Sequence, residues 1–336
     1  MPGGAPRAML AAFGIASYAL QMYGICLLIA FNGNLVHYFP AIDPFLPFAV
    51  DGSAWNDSNW FGKATIHKLL GDEYGHGSDH SLLKAAMFDL LLIAVFAIPH
   101  SILPRLGVKE AMRKTIPEAA ERSIYGLQAA VLLITLVALW QPIDAPVIWQ
   151  APSWAHAPLL ALQAAGVAFA VSSTFAIDHF HLFGIRQALS HPLTTKHLPP
   201  PHLQTHWHYH LMRHPLAAGL VVSWFAQPVM TAGHLLLAIA FTLYQTLAIV
   251  CLEERDLHTI FGSQWDAYER RVPAFGVHAA ALCPVLTRRG KGAAPSDSAS
   301  EHATAARGAS GVKASESGAA QRAAPVHSVS SSKKIG

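Results

Sequence analysis

Two short stretches concentrate polar side chains in an otherwise apolar chain. One is Arg213-His214-Pro215, with Tyr209 before it and Gly219 after it; the other is Glu253-Glu254. Proline at the first turn of a helix costs nothing, because its missing N–H would have no helical partner there. The pattern therefore opens a helix at Pro215, whose free N–H groups and dipole favour an anion such as a carboxylate. Arg213 can add a bidentate contact to that carboxylate, and Gly219, one turn in, lets a ligand approach the backbone closely. Glu253 and Glu254 can hold an ammonium or a ribose hydroxyl. A ligand with a carboxylate at one end and an ammonium plus a ribose at the other is a small zwitterionic nucleoside, of which S-adenosyl-L-methionine is an example. Further ionisable groups gather at Pro99-His100-Ser101, at Glu121-Arg122-Ser123 with Tyr125, and at Asp178-His179-Phe180-His181.

These groups are positioned by elements that belong in lipid. The chain is 52% hydrophobic and 13% charged, where a soluble domain carries nearer a quarter charged residues. Six apolar segments recur, at Met9–Ala30, Leu82–Ile98, Ile124–Trp140, Pro158–Ala176, Leu216–Gln227 and Gly233–Cys251. A helix needs about 20 residues to cross the hydrocarbon. Five segments approach that length, and the fifth, halted at Pro228, is short and forms one arm of a tight hairpin through Pro228–Gly233. The fold class is all-α, a polytopic membrane bundle of five to six transmembrane helices with the C-terminal hairpin forming the ligand site. Lysine and arginine crowd the loops after the second, fourth and sixth segments and are absent from Gln141–Ala157 and Pro228–Ala232. That alternation puts both termini, and the polar clusters at the helix ends, in the cytoplasm.

The sequence divides into an N-terminal transmembrane helix (1–31), a long polar extracytoplasmic insertion (32–81), a membrane core (82–287) and a cytoplasmic tail (288–336). The tail is rich in Ala, Ser, Gly and Lys and is expected to be disordered. The net charge of +3, with no basic run interleaved with aromatics before the tail, gives no nucleic-acid footprint. Cys26, Cys251 and Cys283 show no metal-ligand spacing, and no disulfide framework or zinc site is expected. Twenty histidines include His206, His208, His210 and His214, and His210-x-x-x-His214 has helical ligand spacing. That leaves a membrane di-iron oxygenase as a competing class, although no further paired histidines follow and the expected metal complement is none.

Tyr209, Arg213-His214-Pro215, Gly219, Glu253-Glu254, Phe261-Gly262, Tyr268 and Arg271-Val272-Pro273 together resemble the C-terminal core of the isoprenylcysteine carboxyl methyltransferase superfamily, a membrane-embedded methyltransferase module. Pro99-His100-Ser101, Glu121-Arg122-Ser123, Trp140-Gln141-Pro142, Asp178-His179-Phe180 and Gly233-His234-Leu235 are similar to one subgroup, which holds bacterial methanethiol S-methyltransferases beside NnrU-like proteins. The resemblance implies S-adenosyl-L-methionine as cofactor, contacted by Tyr209, His214, Pro215 and the residues just after them and closed by Glu253, beside Arg213, Gly219 and Glu254 as read above from their chemistry. It also implies a small thiol as substrate, methanethiol becoming dimethyl sulfide, and a place in the bacterial inner membrane with the site facing the cytoplasm. The isoprenylcysteine enzymes carry an arginine shortly before the glutamate pair, whereas Tyr244–Leu252 has no basic residue, which suits a neutral thiol. The long insertion and the tail depart from the family pattern.

A thiol unperturbed near pKa ~8.5 needs help losing its proton at neutral pH. His100, Asp178, His179 and His181 are the candidate bases, with Asp178 as a possible orienter of His179, or of a site in which His100 supplies the partner. Alternatively, orientation and desolvation suffice and water takes the proton. Methylation of another small thiol, of isoprenylcysteine or of a lipid, and a non-enzymatic role in the membrane, remain as alternative readings of the same residues.

Overall fold

The computed structural model describes residues 4–42, 45, 49–50, 79–190 and 202–276. The tail and most of the insertion lie outside the described residues. The long apolar runs become α1 (Gly4–Asn32), α2 (Asp79–Ile102), α3 (Glu118–Leu139) and α4 (Ser153–Ala176). A shorter helix, α5 (Pro215–Phe225), precedes α6 (Ala232–Ala248), which runs on through a π-turn at Ile249–Glu253 into α7 (Glu254–Phe261). Among the described residues, five helices, with Ala232–Phe261 counted as one, are long and apolar enough to cross a bilayer. Met87, Leu91, Val95 and Ile98 on α2 face outward, as lipid-contacting residues do when no water surrounds them. The chain is a polytopic helical membrane protein.

The fifth apolar segment forms only 11 helical residues, too few to cross alone. A helix that ends at membrane depth exposes carbonyls with no partner, which lipid does not tolerate. Three amides meet this need at one atom, the Ser223 carbonyl oxygen. It accepts from Asn32 Nδ2 of α1 at 3.1 Å, Gln163 Nε2 of α4 at 3.4 Å and Gln227 Nε2 at 3.1 Å.

The tightest helix pair is α4 with α5. A Cβ on Gly219 would sit 2.5 Å from the Gly166 carbonyl oxygen, and one on Gly166 would sit 2.7 Å from that of Gly219. Paired small residues let the two backbones touch, which is how helices associate where the hydrophobic effect is absent. Gly219 thus serves helix packing, which corrects its reading as the point where a ligand approaches the backbone.

One feature adds strand to the all-α expectation. Val147–Gln150 (β1) pairs antiparallel with Val229–Thr231 (β2), with Val147 opposite Thr231. Trp149 Nε1 donates to the Gln227 carbonyl at 3.0 Å. This ribbon fastens the loop after α3 to the α5–α6 turn. At the same end, the start of the insertion folds back on α1, where Asn34 Oδ1 accepts from Val50 N at 2.9 Å.

Candidate active site

The start of α5 is anchored by the segment that follows α7. Arg213 N donates to Pro273 O at 2.9 Å, and His214 N to Ala274 O at 3.2 Å. The Arg213 side chain is buried and fully engaged. Nη2 and Nε lie 2.6 and 3.0 Å from Glu254 Oε1, Nη1 donates to the carbonyls of Val272 at 2.8 Å and Glu269 at 3.3 Å, and the guanidinium lies 5.7 Å from the Trp265 ring centre. Glu254 Oε1 also accepts from His214 Nε2 at 3.1 Å. Because a carboxylate only accepts, His214 Nε2 carries the proton of this bond. Arg213 and Glu254 were both expected to hold a ligand, yet each is spent on the other, so the free groups here are different ones.

Glu253 is the free carboxylate. Its side chain is 51% exposed, with Oε1 3.9 Å from His214 Nδ1. The π-turn over Ile249–Glu253 explains the division of labour between two adjacent glutamates. One extra residue in the turn re-aims the side chains that follow, a device often found at functional sites. Tyr209 lies beside Glu253. Burial, and then the Glu253 charge, push its hydroxyl up to about 12, against a hydrogen bond with Ser173 that lowers it. Its carbonyl accepts from the Tyr268 hydroxyl at 2.6 Å.

A second group joins from α2 and α3. His100 stacks on Phe96 with ring centres 5.0 Å apart and lies 5.1 Å from the Tyr125 ring. The Tyr125 hydroxyl is 3.0 Å from His100 Nε2 and within electrostatic range of Glu253 and Arg122. Ser101 Oγ donates to Tyr244 Oη of α6 at 3.4 Å. Arg105 donates to Ser101 O at 2.9 Å and pairs with Asp256 of α7 at 2.7 Å. The end of α2 is therefore tied to the helix that carries Glu253 and Glu254.

Asp178 and His179 do not form an orienter–base pair. Asp178 has a left-handed backbone, φ 75°; its Oδ1 accepts from His181 N at 3.1 Å and its Oδ2 pairs with Arg186. His179 points elsewhere, with Nδ1 2.8 Å from Thr174 Oγ1, Nε2 3.0 Å from the Tyr18 hydroxyl, and its ring stacked on Phe175 at 4.3 Å. Desolvation holds the His179 ring below its ordinary pKa, partly opposed by Asp178. Both nitrogens are occupied, so His179 joins α1 to α4. Asp178→Asn keeps an oxygen for the cap and removes a half-exposed ion pair worth about 1 kcal/mol or less. Turnover measured on this variant should stay within about twofold of wild type, whereas a base at Asp178 would cost at least a hundredfold.

Among the described residues no group of three or more His, Cys, Asp or Glu is placed to hold a metal. His208, in the histidine-rich stretch, bonds Ser172 Oγ at 2.9 Å through Nε2 and packs on Phe169.

The fold and these contacts define a helical membrane protein with a polar site at one end of its bundle, built from α2, α3, α5 and the α6–α7 junction. The model of the NnrU protein family matches residues 90–288, which include all of these site residues, and the chain belongs to that family. It is similar to methanethiol S-methyltransferase 1 of Bradyrhizobium diazoefficiens, 40% identical over 198 residues, covering 58% of this chain and 68% of the relative. Methanethiol S-methyltransferase of Mycobacterium tuberculosis is also 40% identical, over 201 residues, with 58% and 80% covered. The Nurim homolog of Drosophila melanogaster is 31% identical over 172 residues, with 48% and 66% covered. No solved structure matches.

Proposed function

We propose that this protein is an S-adenosylmethionine-dependent methyltransferase that converts methanethiol to dimethyl sulfide. The observation that carries the reading is the likeness to several methanethiol S-methyltransferases at about 40% identity, beside a family match over residues 90–288 that holds the polar site. The donor set fits the cofactor in part. Glu253, with the His214 ring 3.9 Å away, suits an ammonium or a ribose hydroxyl. A carboxylate falls to the first-turn N–H groups after Pro215, since Arg213 is already committed to Glu254. Tyr209 closes the site beside Glu253.

When bound, S-adenosylmethionine supplies an electrophilic methyl on a sulfonium. On transfer of that methyl the departing thioether would keep the electron pair of the old bond, and the acceptor's S–H proton would have to be taken up by a residue of the chain or by water. Donor cation and thiolate neutralise each other in this displacement, so a site shielded from water lowers the barrier. Of the four candidate bases, His100 is the one bonded to Tyr125, on the helix end that is tied to α7 through Arg105 and Asp256. The Tyr125 hydroxyl is the group through which a proton would pass to His100. The basic loop residues Arg105, Lys109, Arg113, Lys114 and Arg122 near this end favour the cytoplasmic face of a bacterial inner membrane.

Headspace gas chromatography over cells expressing the chain and supplied with methanethiol tests the reading. Dimethyl sulfide above the empty-vector level is expected. Its absence, with purified protein still binding S-adenosylmethionine, would keep the donor and discard this acceptor. Loss of both would overturn the enzyme reading.

A further inference from the structure

We infer that the methyl acceptor binds between α2 and α3, against Tyr125 and Gln128, in a recess whose aromatic wall restricts it to the smallest thiols. The inference rests on the proposed thiol methyltransferase function. Gln128 lies on α3, and both its Oε1 and its Nε2 are buried without a hydrogen-bond partner among the described residues. A buried, unsatisfied amide is costly, the more so at membrane depth, and its retention calls for a ligand. Its place on the helix says which one. Gln128 follows Tyr125 by three residues and precedes Leu132 by four, so the three share one stripe of α3. Tyr125 meets His100 of α2 at one end of that stripe. At the other, Leu132 packs against the core cluster that includes Leu92 and Phe96 of α2. The amide therefore faces the α2–α3 seam one turn deeper than the Tyr125 hydroxyl.

The surroundings fit a small neutral thiol. Phe96 and His100 stack at 5.0 Å, and Phe96 meets Tyr244 edge-on at 6.1 Å, leaving the seam walled by rings. Methanethiol carries one weak S–H donor, one weakly accepting sulfur and one methyl group. The amide and the hydroxyl serve the first two, and the rings accept the sulfur and the methyl. Because Ser101 and Arg105, beside His100, bond Tyr244 of α6 and Asp256 of α7, the recess adjoins the half of the site assigned to the donor.

Two substitutions test this on purified full-length protein, read by sulfide formed from methanethiol and from ethanethiol and by donor affinity in calorimetry. Gln128→Leu replaces an unsatisfied amide by an apolar group suited to lipid depth, so it should fold. It is expected to raise KM for methanethiol about tenfold, the worth of one hydrogen bond, with donor affinity unchanged. Phe96→Ala is expected to shift the ethanethiol-to-methanethiol preference upward by about tenfold. Unchanged acceptor KM in Gln128→Leu together with unchanged preference in Phe96→Ala would overturn the site. A wild type that binds donor but methylates neither thiol would instead refute the function on which the site rests.

Discussion

Glu253→Gln should weaken S-adenosylmethionine binding by about tenfold to a hundredfold while leaving the protein as stable as before. The substitution keeps shape and removes charge. Hydrogen bonds to charged groups are worth about 1.5–3 kcal/mol, which sets the size of the loss. Its specificity follows from what Glu253 does in the free protein. Half of its surface is exposed, and its nearest basic atom is His214 Nδ1 at 3.9 Å, too far for a hydrogen bond. A substitution at such a position changes stability by about 0.5 kcal/mol or less. Calorimetric titration of the donor and thermal unfolding, measured on the same preparation, check both halves. Donor affinity equal to wild type would remove Glu253 from the site, and with it the reason for a π-turn at this junction. Glu254→Gln should behave in the opposite way, because its carboxylate is already held by Arg213 and His214.

The contrast between these adjacent glutamates marks where sequence stops being informative. The transmembrane helices were legible because lipid forces every backbone group to pair within the segment and every lipid-facing side chain to be apolar. Met9–Ala30 and Pro158–Ala176 accordingly lie within α1 and α4. The left-handed turns were also within reach, since Asp178 and Gly184 are residue types that adopt positive φ at low cost, and both do. The residues of the site were legible as a set but not in their roles. Glu253-Glu254 is a symmetric pair in sequence, and only the π-turn decides which one faces inward. Gly219 is the right residue for a close approach, but sequence does not say whether a ligand or another helix approaches; Gly166 of α4 does. Asp178 and His179 are neighbours in the chain and face different partners. Gln128 does carry a signal in the sequence: an amide in an apolar helix is stable at membrane depth only with a partner.

Arg213→Met should destabilise the protein by about 3–5 kcal/mol, the cost of stripping one partner from a buried ion pair. The guanidinium serves as a closing clamp. It joins Glu254, 41 positions later in the chain, to the carbonyls of Val272 and Glu269, and so holds the start of α5, the α6–α7 junction and the segment ending at Ala274 together. Removal leaves the Glu254 carboxylate with His214 alone and two carbonyls without their donor. Arg213→Lys should fail nearly as badly, because a single ammonium cannot reach both the carboxylate and the carbonyls that a planar fork spans. Arg213→Met combined with Glu254→Leu should recover much of the loss, since a buried pair replaced whole by apolar groups is often neutral. Thermal unfolding of the three variants, with donor affinity measured on the folded fraction, separates this role from direct contact with the donor. An Arg213→Met protein that melts like wild type but no longer binds S-adenosylmethionine would return Arg213 to the ligand. One that melts early while its folded fraction still binds would establish that the arginine builds the site without touching what the site holds.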